Sequence, residues 1–269
     1  MELPDPEWRL VRPDAGSGTG VLLLAGSSGR VDADRAALLA RHGATVLAIR
    51  WFGGPGQQPG PFDVPLELVV DALDLLLPEC DRLALMGTSF GAEACLLVAS
   101  LDARVSATVA FAPPAHVWSG YGDDHWTSHW TWRGDPLPAI PFLPDWEPDS
   151  SPPAYRDLYA DSLAAADPGV VAAATIPVEH IAGALVLVAG GDDQVWPAAD
   201  FAALVAARRQ VHGVPTVVVT RAEAGHRALL PGETAVETGQ EMLRGGTVAA
   251  DRALGAAAWP HIASALRLR

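Results

Sequence analysis

The chain has 269 residues, 49% of them hydrophobic, which is enough to bury a substantial core; its two cysteines, Cys80 and Cys95, imply no disulfide framework. The formal net charge is −14 and all 18 basic residues are Arg, so the surface repels nucleic acid; the same field argues against a strongly anionic small substrate unless a local Arg cluster overrides it. No run of 18 uncharged apolar residues occurs, and the first residues, MELPDPEWRL, lack a basic segment followed by an apolar one, so neither a membrane span nor a secretory signal is expected and the cytoplasm is the expected compartment.

Residues 21–27, VLLLAGS, form a continuous apolar run before a Gly/Ser turn and read as a buried parallel strand. DADRAALLARHG follows with helical spacing and closes on Gly43. TVLAIRW (45–51) is the next strand, GGPGQQPGP (53–61) a loop, and VPLELVVDALDLLL (64–77) a helix. RLALMG (82–87) is a strand, after which Ala92, Cys95, Leu96 and Ala99 repeat along one helical face. VSATVAFAP (105–113), ALVLVAGG (184–191) and PTVVVT (215–220) are further strands. PAADFAALVAARRQV and the stretch from about 249 onward read as helical, the latter expected to reset at Pro260. Strands alternating with helices predict an α/β class domain, 1–269, around a mostly parallel sheet.

One region breaks the rhythm. From 114 to 178 the chain runs through HVWSGYGDDHWTSHWTWRGDPLPAIPFLPDW and then short helical pieces. So long an excursion inside one domain is read as a lid or cap insertion that walls a substrate pocket, with Trp118, Trp130, Trp132 and His116 as its pocket candidates. His125 and His129, four residues apart, are not read as a metal pair, because the glutamate of a zinc-protease helix is missing; no metal or other cofactor is expected.

The chemistry is carried by Gly87-Thr88-Ser89-Phe90-Gly91 between a strand and an amphipathic helix. In that context Ser89 is expected at a strained tight turn, with its hydroxyl at the helix N-terminus where developing negative charge is favoured. A serine hydroxyl needs a base, and the base an orienting acid. His226 follows the last predicted strand, and Asp192 and Asp193 follow ALVLVAGG, so each lies at the carboxyl end of a strand, where open parallel sheets place their sites. Asp193 is taken as the acid, Asp192 as its neighbouring alternative. The oxyanion hole is assigned to the backbone N–H of Phe90 and to the turn at Ser27 and Ser28. GSGTG (16–20) precedes a strand instead of following one, which rules out a dinucleotide fingerprint.

Several segments together, VLLLAGSSGRVDADRAALLARHGATVLAIRWFGGPG, MGTSFGAEACLLVAS, WTWRGDPLPAIPF, IPVEHIAGALVLVAGGDDQVWPA and GGTVAADRALGAAAWPHIASALR, resemble one family. It is the catalytic C-terminal domain shared by acyl-CoA thioesterases and the bile acid-CoA:amino acid N-acyltransferase; dienelactone-hydrolase-like enzymes share the fold but not the WTWRGDPLP segment. The resemblance implies an α/β-hydrolase fold and acyl transfer from a thioester, with Ser89 as nucleophile, Asp193 as acid and His226 as base. Some members use Cys and conjugate the acyl group to an amine; Ser89 favours hydrolysis. The expected activity is that of a serine hydrolase on an acyl thioester, a small molecule or a group held on CoA or a carrier protein. The alternative is a carboxylesterase, or a biosynthetic acyltransferase, cyclase or eliminase using the same triad.

Overall fold

The apolar runs become the middle of one sheet. The structure, a computed structural model, describes residues 8–235 and 240–269. Its strands are β1 (Trp8–Val11), β2 (Thr19–Leu24), β3 (Thr45–Ile49), β4 (Val64–Pro65), β5 (Arg82–Thr88), β6 (Val105–Phe111), β7 (Ser119–Gly122), β8 (His125–Ser128), β9 (Trp130–Trp132), β10 (Asp135–Pro136), β11 (Ala184–Gly190) and β12 (Val217–Arg221). Its α-helices are α1 (Ala33–Arg41), α2 (Glu67–Leu76), α3 (Phe90–Leu101), α4 (Arg156–Ala165), α5 (Pro168–Ala174), α6 (Ala198–Val211) and α7 (Val248–Ala265). Pro260 lies inside α7 without ending it.

The main sheet has the order β1-β3-β2-β5-β6-β11-β12. All its pairings are parallel except β1 with β3. The inner strands are apolar at successive positions because both faces are covered, and the two-residue period deals their side chains to opposite sides. Leu22, Leu24, Leu83, Leu85, Leu185 and Leu187 join the core on the face of α2, α3 and α6. Val21, Leu23, Ala84, Met86, Val186 and Val188 join the core on the face of α1 and α7.

Residues 114–178 are more regular than their sequence suggests. β7 and β8 form a hairpin closed by Asp123 (φ 51°) and Asp124 (φ 61°), with Gly122 opposite His125. β9 and β10 form another, closed by Arg133 (φ 55°) and Gly134 (φ 85°). Two central residues with positive φ match the twist of paired strands, and Asp and Gly adopt that conformation at low cost. β9 pairs in parallel with the two-residue β4, at the start of the segment expected to be helical throughout. β1 was not expected; WRLV is too short to show a period, and the ladder with β3 recruits it.

Candidate active site

Ser89 closes β5 and opens α3, and its backbone is held at φ 58°, ψ −123°. A non-glycine residue there carries strain of about 1–3 kcal/mol, which the surroundings must over-determine. They do. Ser89 N–H donates to Phe111 O at 2.9 Å, and Ser89 O accepts from Ala92 N at 2.8 Å. A methyl group on Gly87 would overlap the Gly91 carbonyl, and one on Gly91 would overlap the Ala25 carbonyl. Both glycines are therefore required for strand, turn and helix to pass this closely. Gly26 is under the same constraint, since a Cβ there would lie 3.0 Å from Ser89 Cβ.

His226 lies on the loop after β12 and Asp193 on the loop after β11. His226 Nδ1 is 2.7 Å from Asp193 Oδ2. Asp193 is fully buried. Its other oxygen accepts from Val195 N (2.8 Å) and Trp196 N (3.2 Å), so the carboxylate is fixed before it meets the imidazole. Asp192 turns elsewhere: it accepts from Gly246 N at 2.8 Å and from Gln194 Nε2 at 2.8 Å. The His226 loop is held from behind, where its N–H donates to Arg244 O at 2.9 Å and Gly225 N–H donates to Asp251 Oδ1 at 2.8 Å. Burial pushes the Asp251 carboxyl above its ordinary value, and the nearby Asp193 charge adds to the rise.

Ser89 and His226 open onto one cavity of about 110 Å³, which Ser27 and Ser28 also line. Phe90 holds the first position of α3, where a backbone N–H has no partner within the helix. Its ring packs 4.2 Å from that of His129 and 5.5 Å from that of Trp196. Trp118, Trp130, Trp132 and His116 are not among the described residues that line this cavity. Trp118 and Trp130 are wholly buried in the core, where Trp118 packs on Tyr159 and on Phe201 of α6 and Trp130 packs on Trp51. Burial lowers the His116 imidazole to about 4. The exposed aromatics of the segment are Tyr121 and Trp126, packed together on the first hairpin.

Two buried charged groups frame the site, and spacing does not announce either. Arg35, on the inner face of α1, pairs with Glu233 at 2.6 Å and donates to Thr88 Oγ1 (3.3 Å) and Ala228 O (3.1 Å). It thus ties the strand end before Ser89 to the loop after His226. Glu93, fully buried in α3, accepts from Trp118 N at 3.1 Å and lies 3.2 Å from His129 Nδ1. The one signal for both is a charged residue standing on a helix face otherwise occupied by apolar side chains. Ser89 and the imidazole of His226, held by Asp193, thus line one cavity at the start of α3.

Comparison with known proteins places the chain in a family. Residues 64–266 match the family described as BAAT / Acyl-CoA thioester hydrolase C terminal. Human acyl-coenzyme A thioesterase 6 is 27% identical over 230 residues, 80% of this chain and 50% of that protein, so the chain spans half the length of this relative. The mouse protein of the same name is 38% identical over 102 residues, 36% of this chain and 24% of that one. Among solved structures, a dienelactone hydrolase-like promiscuous phosphotriesterase from metagenomic libraries superposes with a TM-score of 0.51 at 18% identity, covering 96% of this chain and 87% of its own. The fold is that of the α/β-hydrolases, and the chain belongs to the BAAT / acyl-CoA thioester hydrolase C-terminal family.

Proposed function

We propose that this protein is a serine hydrolase that cleaves acyl thioesters through an acyl-enzyme on Ser89. The observation that carries the reading is the strained Ser89 at the mouth of a cavity it shares with His226, whose Nδ1 lies 2.7 Å from the buried Asp193. In this scheme His226 takes the hydroxyl proton as Ser89 Oγ attacks the thioester carbonyl, and Asp193 stabilises the imidazolium that forms. The N–H of Phe90 and the turn at Ser27 and Ser28 receive the oxyanion; one such donor is worth roughly 100- to 1000-fold in rate. Collapse expels the thiol, which takes the proton from His226. Water, deprotonated by the same imidazole, then attacks the acyl-enzyme; the C–Oγ bond breaks, His226 returns the proton to Ser89 Oγ, and the carboxylic acid leaves. Every group needed for these steps comes from the chain itself.

The thioester enters through family membership and the thioesterase names of the relatives. The deciding experiment is thiol release from a series of acyl-CoA and acyl-N-acetylcysteamine thioesters, wild type beside Ser89→Ala. Turnover that disappears in the variant supports the proposal. Turnover that survives Ser89→Ala rejects it, and covalent labelling of Ser89 by a fluorophosphonate with no thioester turnover rejects the substrate while keeping the nucleophile.

A further inference from the structure

Glu93 stands where packing alone would place an apolar side chain. It is fully buried in α3, and every other buried residue of that helix is Gly, Ala, Cys, Leu or Val. A carboxylate in such a place costs free energy unless it is paired and hydrogen-bonded. Its partners come from the segment between β6 and α4. Trp118 N–H donates to Glu93 Oε1 at 3.1 Å, and His129 Nδ1 lies 3.4 Å from the same oxygen and 3.2 Å from Oε2. His129 is itself buried, and its N–H donates to Trp118 O at 3.0 Å, which closes the three residues into a ring.

Two contacts tie this group to Ser89. Glu93 lies one helical turn beyond it, and the Glu93 N–H donates to Ser89 O at 3.1 Å. The His129 ring packs 4.2 Å from the ring of Phe90, which also meets Trp196 at 5.5 Å. Trp196 is anchored in the same manner, since its N–H donates to Asp193 Oδ1 at 3.2 Å. Two buried carboxylates thus each steady a ring that grips Phe90, Asp193 from the loop after β11 and Glu93 from α3 itself. The grip matters because Ser89 is held at φ 58°, and relaxation of that strained backbone would turn the peptide plane that carries the Phe90 N–H. A donor to a developing oxyanion has to stay within about 0.5 Å of its place to be effective.

We propose that Glu93 and His129 are positioning residues for the oxyanion donor. The Glu93 carboxylate fixes the His129 ring with its proton at Nδ1, and that ring holds Phe90 so that the Phe90 N–H faces the carbonyl oxygen attacked by Ser89. Neither Glu93 nor His129 is among the described residues that line the cavity at Ser89, so both act through Phe90. The assignment rests on the serine-hydrolase reading, which supplies the oxyanion.

Two variants test it by different routes. His129→Asn puts an amide nitrogen where Nδ1 stands, which leaves Glu93 partnered and removes the ring. Glu93→Leu/His129→Leu replaces the pair with apolar side chains that need no compensation. A fluorophosphonate titrates Ser89 in each preparation, and hydrolysis of p-nitrophenyl butanoate is expressed per titrated site, so molecules that fail to fold drop out of the count. In both variants kcat per site should fall at least about 10-fold, a part of the roughly 100- to 1000-fold that loss of a whole donor costs. KM should not change, because the interaction is made only in the transition state. The rate constant for phosphonylation, which draws on the same donor, should fall in parallel, so the comparison holds whichever ester is cleaved. Phe90→Leu keeps the N–H but removes the ring that His129 grips; it should show the same loss, and adding His129→Asn to it should lower the rate no further. A pair that merely braces the fold would lower Tm and the number of titrated sites and leave both rates per site at the wild-type value, and that result overturns the proposal. Full activity in Phe90→Leu overturns it as well, as does a loss there that multiplies with that of His129→Asn. A wild type that the fluorophosphonate does not label and that cleaves no ester rejects the serine-hydrolase reading first, and this assignment with it.

Discussion

Arg35→Met would strand a carboxylate that the fold has buried. Arg35 Nε and Nη2 donate to Glu233 Oε1 at 2.6 Å and Oε2 at 2.8 Å, with the two side chains 9% and 8% exposed. Removing one member of a buried pair costs about 3–5 kcal/mol, because the survivor keeps its desolvation penalty and loses its partner. Methionine fills a similar volume but also gives up the bonds to Thr88 and Ala228, so about 4 kcal/mol is expected, or roughly 8 °C or more in Tm for a chain of this size. The double variant Arg35→Met/Glu233→Leu should recover most of the loss, since an apolar pair needs no compensation. Acid should shrink the single variant's deficit. Burial works to raise the Glu233 carboxyl, and the Arg35 charge outweighs it and holds it below its ordinary value. A depressed carboxylate stabilises the fold above its unfolded pKa of about 4.3 and loses that contribution as the pH falls through the folded value. The gap between wild type and Arg35→Met is therefore full at pH 7 and narrows below about pH 4. Urea unfolding of the four proteins measures it. A single-variant loss under about 1 kcal/mol, or a double variant that costs the sum of its parts, would refute the reasoning.

Other substitutions probe the turn and the two loops. Asp193→Asn keeps the size of the side chain but lets His226 adopt the wrong tautomer; thioester kcat should fall roughly 10⁴-fold, with a folded protein by circular dichroism. Gly91→Ala drives a methyl group into the Ala25 carbonyl and should cost about 3 kcal/mol in urea unfolding, with kcat lost as the turn deforms. Asp251→Asn still offers an oxygen to Gly225 N–H. The wild-type carboxyl is raised by burial, so its contribution is complete below its unfolded pKa of about 3.9 and is lost as the pH rises through the folded value. Stability of Asp251→Asn should therefore change less than that of wild type between pH 4 and 7, by thermal unfolding; an unchanged slope would remove Asp251 from the account.

Central strands were legible because both of their faces are buried. VLLLAGS, RLALMG and ALVLVAGG need no partner to announce themselves, and they became β2, β5 and β11 with ends shifted by at most three residues. The elements missed are those whose signal lies in turn chemistry or pairing. β1 is four residues long and exists through its ladder with β3. The hairpins in 114–178 were hidden because their tryptophans suggest a pocket lining, whereas Asp123-Asp124 and Arg133-Gly134 are two-residue turn signals between short runs that could have been read as strands. Trp118 and Trp130 show how composition misleads here: a large aromatic side chain is as readily core as pocket wall, and both are core.

The candidate site divides along the same physical line. Ser89, Asp193 and His226 sit at strand ends, so a one-dimensional reading of strands already brings them to one edge of the sheet, and the structure puts Asp193 and His226 in contact. The wall opposite them has no such logic. Arg30, Arg227 and Arg244 are joined by no spacing and no motif, and the whole-chain charge pointed away from an anionic ligand. A protein's far field is set by the sum of its charges, but a half-buried cavity responds to the few groups in its own low-dielectric wall. Eighteen arginines against 32 acidic residues fix the first; which of the cavity's charges are paired, as Arg35 and Glu233 are at 2.6 Å, fixes the second.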